Sequence, residues 1–329
     1  MVKRITVLLI VVMMIVPVLS GCKKEKENQI TIVLDWTPNT NHTGLFVAQE
    51  KGYFKELGLN VKITEPPEGS TTQLIAVGKG QFGISFQDTL SKAYAQDEPL
   101  PVTVVAAVLQ HNTSGVVSYK AEGIEKPKDL ENKTYATWED PIELAILKQI
   151  VEEDGGDFSK IELIPNTVTN IVAALETSID SVWIYKAWDG IALDVAGKEY
   201  NFINFADYGE ELDYYTPVII ANNDYLAKNG DEAKKVMSAI KKGYEYAIEN
   251  PEEAADILLK ACPENDKELV KQSQAWISTQ YKADAAEWGV IDKERWDGFF
   301  TWLYDNKLIE KEIPSGFGFT NQFLEEKHE

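Results

Sequence analysis

The feature that most constrains this chain is an alternation that runs twice along it: short apolar run, polar loop, amphipathic helix. Residues 30–34 predict a strand, followed by Asp35-Trp36-Thr37-Pro38-Asn39-Thr40-Asn41-His42 and a helix over 43–51 ending at Gly52. Strands over 59–64, 82–86 and 102–108 follow. A helix opens at Ser70-Thr71-Thr72-Gln73, which has a capping-box pattern, and another spans 88–96. From about Val116 the pattern restarts, with strands over 116–119, 133–138, 161–165 and 180–185 and helices over 141–153, 168–178 and 187–196. Such an alternation specifies parallel, doubly wound α/β sheets, whose ligands sit beyond the carboxyl ends of the strands. After a strand over 218–221 the chain turns helical. Val236, Ile240, Tyr244 and Ile248 recur at a four-residue spacing, one apolar face that must pack on something. Two lobes with two chain crossings, near 115 and 216, are expected: residues 30–115 plus 216–329 as the first, 116–215 as the second.

The N-terminus carries a different message. Lys3 and Arg4 precede an uncharged apolar run over 5–19, too short to span a bilayer comfortably and laid out as a secretory signal. It closes on Leu19-Ser20-Gly21-Cys22, which resembles the bacterial lipobox, so residues 1–21 read as a signal peptide and Cys22 as the lipidated N-terminus. Residues 22–29 are polar and charged and read as a tether. Without residues 1–21 the chain keeps 30 of its 32 basic side chains against 53 acidic ones, a net charge of −23. That balance argues against nucleic acid or anionic lipid as a partner. With Cys22 acylated, Cys262 has no disulfide partner, and three histidines without clustered cysteines predict no metal site.

Several strings add a family resemblance. The segment Asp35 to Gly44, Gly52-Tyr53-Phe54-Lys55, Pro66-Pro67-Glu68-Gly69-Ser70 and Gln110-His111-Asn112-Thr113-Ser114-Gly115 resemble the formylaminopyrimidine-binding lipoproteins of thiamine-salvage ABC importers. So do Asp180-Ser181-Val182-Trp183-Ile184-Tyr185, Asp213-Tyr214-Tyr215-Thr216-Pro217-Val218 and the run from Gly243 to Glu253. The resemblance implies a type II periplasmic-binding-protein fold, two α/β lobes on a two-segment hinge that clamp a pyrimidine, delivered to an ABC permease and its ATPase. It implies a monomer that needs no cofactor and performs no chemistry, held outside the cell by its lipid. Fungal thiamine-pyrimidine synthases share this fold family, with a pyridoxal phosphate-bearing lysine, an active-site histidine and a cysteine-rich iron motif. Here Ile84-Ser85-Phe86-Gln87-Asp88 lacks lysine and histidine, and no cysteine cluster occurs.

A flat heteroaromatic ring needs rigid aromatic faces and a few placed acceptors and donors. Trp36, Trp138, Tyr185 and Trp188 fall at strand ends of both halves, and each could equally be a core residue. Asn39, His42, Gln87, His111, Asn112, Glu143 and Asp189 are the polar candidates. Asn39 could bond its own turn, and His42 could cap the helix after it. Asp140, Pro141 and Glu143 make a capping arrangement by themselves, and Asp189 suits a helix start. Gly78-Lys79-Gly80-Gln81-Phe82-Gly83 matches a dinucleotide fingerprint in letters only, because it follows a helix and enters a strand.

Overall fold

The computed structural model describes residues 29–67 and 70–325. The signal segment, Cys22, the tether as far as Asn28, and Glu68-Gly69 lie outside the described residues. The strands are β1 (Gln29–Val33), β2 (Asn60–Thr64), β3 (Phe82–Ser85), β4 (Val102–Ala107), β5 (Ser114–Tyr119), β6 (Thr134–Thr137), β7 (Glu162–Pro165), β8 (Ser181–Tyr185), β9 (Tyr200–Asn204) and β10 (Val218–Asn222). They form two sheets, ordered β2-β1-β3-β10-β4 and β7-β6-β8-β5-β9. The helices are α1 (Thr43–Glu50), α2 (Tyr53–Glu56), α3 (Thr71–Ala76), α4 (Gln87–Tyr94), α5 (Pro141–Glu153), α6 (Ile171–Ala174), α7 (Ile191–Val195), α8 (Asn223–Lys228), α9 (Gly230–Glu249), α10 (Pro251–Ala261), α11 (Lys267–Ile277) and α12 (Lys293–Asp305).

The expectation of wholly parallel sheets needs correction. β10 runs antiparallel to β3 and β4, and β5 runs antiparallel to β8 and β9. These two strands enter a sheet directly from the other sheet, without an α-helical crossover. They start at the end where their neighbours finish, and so they must run the opposite way. The chain crosses over residues 108–113 and returns over 205–217.

Strand alternation sorts the core into layers. In the first sheet Ile32, Phe82, Ile84 and Ile219 pack on one side with Leu45 and Ala48 of α1 and Val236, Ile240 and Tyr244 of α9. Val33, Val104 and Ile220 pack on the other with Leu90 and Tyr94 of α4 and Trp296 and Phe299 of α12. In the second sheet Val182 and Ile184 face α6 and α7, while Trp183 faces the opposite side with Tyr135 and with Ile146 of α5. The apolar stripe of α9 thus returns to the first sheet.

Other local expectations shift. β9 has too few fully buried apolar residues for sequence pattern to reveal it; Tyr200, Asn201 and Phe202 are each half-buried at a sheet edge. The helix expected over 168–178 shrinks to α6, where Asn170 caps by accepting from the Ala173 N–H at 3.0 Å. The helix expected over 187–196 begins as a π-turn, Lys186–Gly190. Ser70 precedes α3 without a side-chain cap bond, so the capping box there does not form. Cys262 is buried and unpaired.

Candidate functional site

The carboxyl ends of β1, β3, β6 and β8 converge between the two sheets. At the end of β1, Asn39 is spent on its own loop: Oδ1 accepts from the Asn41 N–H at 2.9 Å and Nδ2 donates to the Thr37 carbonyl at 3.2 Å. His42 is fully buried, and both ring nitrogens are engaged. Nδ1 accepts from the Asn39 N–H at 3.1 Å, which places the ring proton on Nε2, 2.7 Å from Asp35 Oδ1. Asn39 and His42 therefore present Asp35. Trp36, on the same loop, is 51 % exposed.

At the end of β3, Gln87 is buried and ties two distant segments, accepting from the Tyr215 N–H at 2.9 Å and donating to the Trp296 carbonyl at 2.8 Å. Its neighbours Phe86 and Asp88, which sequence reasoning passed over, are turned toward the second sheet instead. Phe86 stacks on Tyr185 of the other sheet, with centroids 6.0 Å apart and planes at 24°. Burial pushes the Asp88 carboxyl up to about 6; the Thr89 N–H opposes the rise and the Asp140 charge adds to it. Lys92 is paired with Asp140 across the gap.

In the second half, Trp138 at the end of β6 is 41 % exposed, with its ring 5.6 Å from that of Trp183. At the start of α5 Asp140 caps by accepting from the Ile142 N–H at 2.8 Å, and its own N–H donates to Glu143. Glu143 is buried and accepts from the Tyr135 hydroxyl at 3.0 Å, the Thr137 hydroxyl at 2.9 Å and the Trp138 N–H at 3.0 Å. Burial raises its pKa against the bonds from Thr137, Tyr135, Trp138 and Asp140. It fixes Trp138 from behind. Trp188 packs on the cluster of Ala255, Leu258, Cys262 and Val270 from α10, α11 and the turn between them, so it joins the halves by contact. Next to that contact, Ser273 bridges Thr40 and the Ala187 carbonyl.

Asp189 lies behind Tyr185, whose N–H donates to Oδ2 at 3.4 Å. Burial pushes its carboxyl up to about 6, opposed by the backbone N–H groups of Tyr185 and Asp189. Burial, and after it the charge of Asp88, holds the Tyr185 phenol far above its ordinary range, with Asp35 and Asp189 adding to the effect. Carboxylates from both halves thus surround one aromatic slab. The Tyr214 hydroxyl and the Trp183 indole N–H are buried without a partner, polar groups that a bound molecule could satisfy.

His111 and Asn112 lie elsewhere, in the first crossing. Asn112 donates to the Leu212 carbonyl at 2.8 Å and accepts from the Ser114 N–H at 2.9 Å, and its own N–H donates to Asp213 at 2.9 Å, stapling the two crossings together. The geometry therefore brings Tyr185 and Asp189 near Phe86, Asp88 and Asp35, leaves Trp36 and Trp138 exposed at their own strand ends, and engages Asn39, His42, Gln87, His111, Asn112 and Glu143 in bonds within the protein. The strand-end rule that picked Gln87 covers Phe86 and Asp88 equally; which of the three turns into the core depends on Tyr215 and Trp296, more than a hundred residues away.

A raised carboxyl gives a signed prediction. Asp88 and Asp189 bind protons more tightly in the folded state than the ordinary value of 3.8. Stability associated with them is therefore full below about pH 4 and falls as pH rises through about 6. A ligand amine that donates to the ionised carboxylate reverses the preference. Its affinity should drop by up to about tenfold per pH unit below pH 6, and Asp189→Asn should flatten the profile. Calorimetry at stepped pH measures this; an unchanged slope in Asp189→Asn would remove Asp189 from the acceptors.

Among the described residues no group of three His, Cys, Asp or Glu side chains is placed to hold a metal ion, and no helix is long and apolar enough to cross a membrane. The chain is 29 % identical to the formylaminopyrimidine-binding protein of Halalkalibacterium halodurans, over 89 % of both chains. It is 26 % identical to the 4-amino-5-hydroxymethyl-2-methylpyrimidine phosphate synthase of Aspergillus parasiticus, over 90 % of this chain and 87 % of that one. Among solved structures, the alkanesulfonate-binding protein SsuA from Xanthomonas axonopodis pv. citri shares the fold with a TM-score of 0.67 at 15 % identity, covering 89 % of this chain and 98 % of that one. The desulfurization enzyme DSZB also matches at 0.67, with 11 % identity, covering 90 % and 97 %. The fold is the two-lobed α/β arrangement of periplasmic binding proteins. A family model described as NMT1/THI5 like matches residues 39–254, from the first strand-end loop through both crossings and all of α9 to the start of α10, and the chain belongs to that family.

Proposed function

We propose that this protein is the substrate-binding component of an ABC importer that captures a thiamine-related pyrimidine and hands it to the permease and its ATPase. The ligand is N-formyl-4-amino-5-aminomethyl-2-methylpyrimidine or the hydroxymethyl analogue, clamped between a first lobe of residues 30–115 plus 216–329 and a second of 116–215. Cys22 carries the lipid that holds the monomer outside the cell membrane. The observation that carries the reading is the slab of Phe86 and Tyr185, one ring from each sheet at 6.0 Å, ringed by carboxylates that can accept from an exocyclic amine. The relative from Halalkalibacterium halodurans, named for binding such a pyrimidine, supports it.

The second reading, an enzyme of thiamine-pyrimidine metabolism on this fold, is favoured by the relatives named as synthases. Proton transfer in an enzyme needs a base with a free lone pair near the ligand. The ring nitrogens of His42 and His111 are all engaged by carboxylates or backbone, so an enzyme at this site would have to use Asp88 or Asp189 as its base. Native mass spectrometry of ligand carried through purification, followed by a search for product after incubation with candidate pyrimidines, separates the two. An unaltered bound pyrimidine is expected; a product would move the protein to the second class.

The aromatic slab makes its own test. Tyr185→Ala should weaken pyrimidine binding by roughly 1–3 kcal/mol, the loss of one face of a stack, with an unchanged circular dichroism spectrum. Trp188→Ala, which removes a contact between the halves, should loosen the closed form rather than the stack. Undiminished calorimetric affinity in Tyr185→Ala would return Tyr185 to the core.

A further inference from the structure

His111 is held by carboxylates on both sides. Nδ1 lies 2.6 Å from Asp213 Oδ2, in the second crossing, and Nε2 lies 2.9 Å from Asp284 Oδ1, in the loop after α11. Both contacts are hydrogen bonds only if both nitrogens carry protons, and a neutral imidazole has one proton for the two. From the first crossing the ring thus joins three segments: its own, the return crossing, and the loop that continues the helix packed against the π-turn of the second sheet. We infer that His111 is a proton-operated clasp of the hinge, closed as imidazolium on Asp213 and Asp284 and released on the Asp284 side when the ring loses a proton.

The side that lets go follows from the neighbours. Asp213 is anchored independently, accepting from the Asn112 N–H at 2.9 Å and lying 3.7 Å from Arg295 Nε of α12. Arg295 also donates to the Gln110 carbonyl and lies over the Tyr215 ring, 5.3 Å from its centroid. Asp284 is 78 % exposed and can turn to water at little cost. The remaining proton therefore stays on Nδ1 toward Asp213. The other charged groups beside the ring, Lys186 at the end of β8 and Asp207 in the return crossing, line a cavity of 480 Å³ together with His111, Trp276 and Gln280. Lys186 is taken up by the rings of Tyr200 and Phe202 at 5.6 and 5.3 Å. Asp207 accepts from the Asn204 amide at 3.1 Å. Partial burial lowers the ring's pKa, but the bonds to Asp213 and Asp284 outweigh it and the net shift is upward. The sign follows: the clasp is complete below the ordinary imidazole range and is lost as pH rises through the raised value. Trp276 and Gln280, on and just beyond α11, lie against the second sheet across this cavity, so release loosens the seam that closure must form.

The clasp belongs to the hinge and operates whether or not the cleft takes a pyrimidine. Its test needs no ligand. Imidazole resonances of the full soluble chain, assigned with His111→Gln, should show His111 titrating above the ordinary 6.5. The radius of gyration of the free protein should rise over the same interval. Asp284→Asn, a change at an exposed side chain, should lower both midpoints together. Where a ligand is in hand, its affinity should fall at least about fivefold across that transition, the low end for coupled sites, and His111→Gln should abolish the fall. Titration of His111 at or below the ordinary value would overturn the inference. So would midpoints unmoved in Asp284→Asn, or a titration without any change in scattering.

Discussion

Gly243→Ala is expected to destabilise the folded protein by about 3 kcal/mol or more, the upper end of what overpacking a core costs. A Cβ at Gly243 would stand 2.0 Å from the Gly44 carbonyl oxygen and 3.0 Å from the Ala48 Cβ. The first obstacle is backbone, so relief requires α1 and α9 to move apart as bodies. The opposing position is equally tight: a Cβ at Gly44 would lie 2.3 Å from Cγ of Tyr244. Tyr244 closes the arrangement, stacked on Trp288 at 4.3 Å and donating its hydroxyl to the Asn41 carbonyl at 2.7 Å. Separating the helices would also pull on the loop that carries Asp35, and pyrimidine affinity should fall with stability. Urea denaturation measures the loss as a lower midpoint at constant m. A loss under about 1 kcal/mol would mean that α1 slides aside freely.

This crossing explains two of the strings that stood out in the sequence. Asp35 to Gly44 and the run from Gly243 read equally well as binding motifs. Gly44, Gly243 and Tyr244 are packing residues, and Asn39 and His42 are loop residues that hold Asp35 in place. Nine of the ten strands and most helices were legible because period and turn chemistry are local, and β9 was not, because its residues are only half-buried. The antiparallel sense of β5 and β10 was not, because it depends on which end of a sheet the chain enters. The division of labour within Phe86-Gln87-Asp88 was hidden for a similar reason. A buried glutamine looks like a ligand group until its partners, the Tyr215 N–H and the Trp296 carbonyl, are brought beside it by the return crossing. Trp188 was read as a stacking face, and the structure sets it against Leu258 and Val270 of the opposite half. Glu143 was legible as a polar candidate that could equally cap its helix, but its donors Tyr135, Thr137 and the Trp138 N–H were not.

The phosphate ester of the hydroxymethyl pyrimidine should bind at least about a hundredfold more weakly than the free alcohol, a difference of roughly 2.7 kcal/mol. The sulfonate-binding protein shares the fold, but a fold does not set the sign of charge that its cleft accepts. Here the side chains do. Asp35, Asp88 and Asp189 stand around Tyr185, and burial already strains the ionisation of Asp88 and Asp189. Of the cations near this group in sequence, Lys92 is committed to Asp140. Lys186 follows Tyr185 directly but belongs to the other face: Trp183 pairs with Val116, and Val116 with Ile203, whereas Ile184, two residues before Lys186, pairs with Gly115, and Gly115 with Asn204. Strand alternation therefore carries Lys186 away from the slab, toward Tyr200 and Phe202. A phosphate between the lobes would be desolvated beside like charges with Lys92 and Lys186 already engaged, and such juxtapositions cost several kcal/mol. Calorimetry with the alcohol and its phosphate at low and high salt reads the difference directly, and screening should narrow it. Asp88→Asn with Asp189→Asn should recover part of the phosphate affinity while weakening the amine-bearing ligand. If alcohol and ester bound equally, the carboxylates would not face the ligand, and Asp35, Asp88 and Asp189 would leave the site together. If the ester bound more tightly, the cleft would suit a phosphorylated product, and the enzyme reading would displace transport.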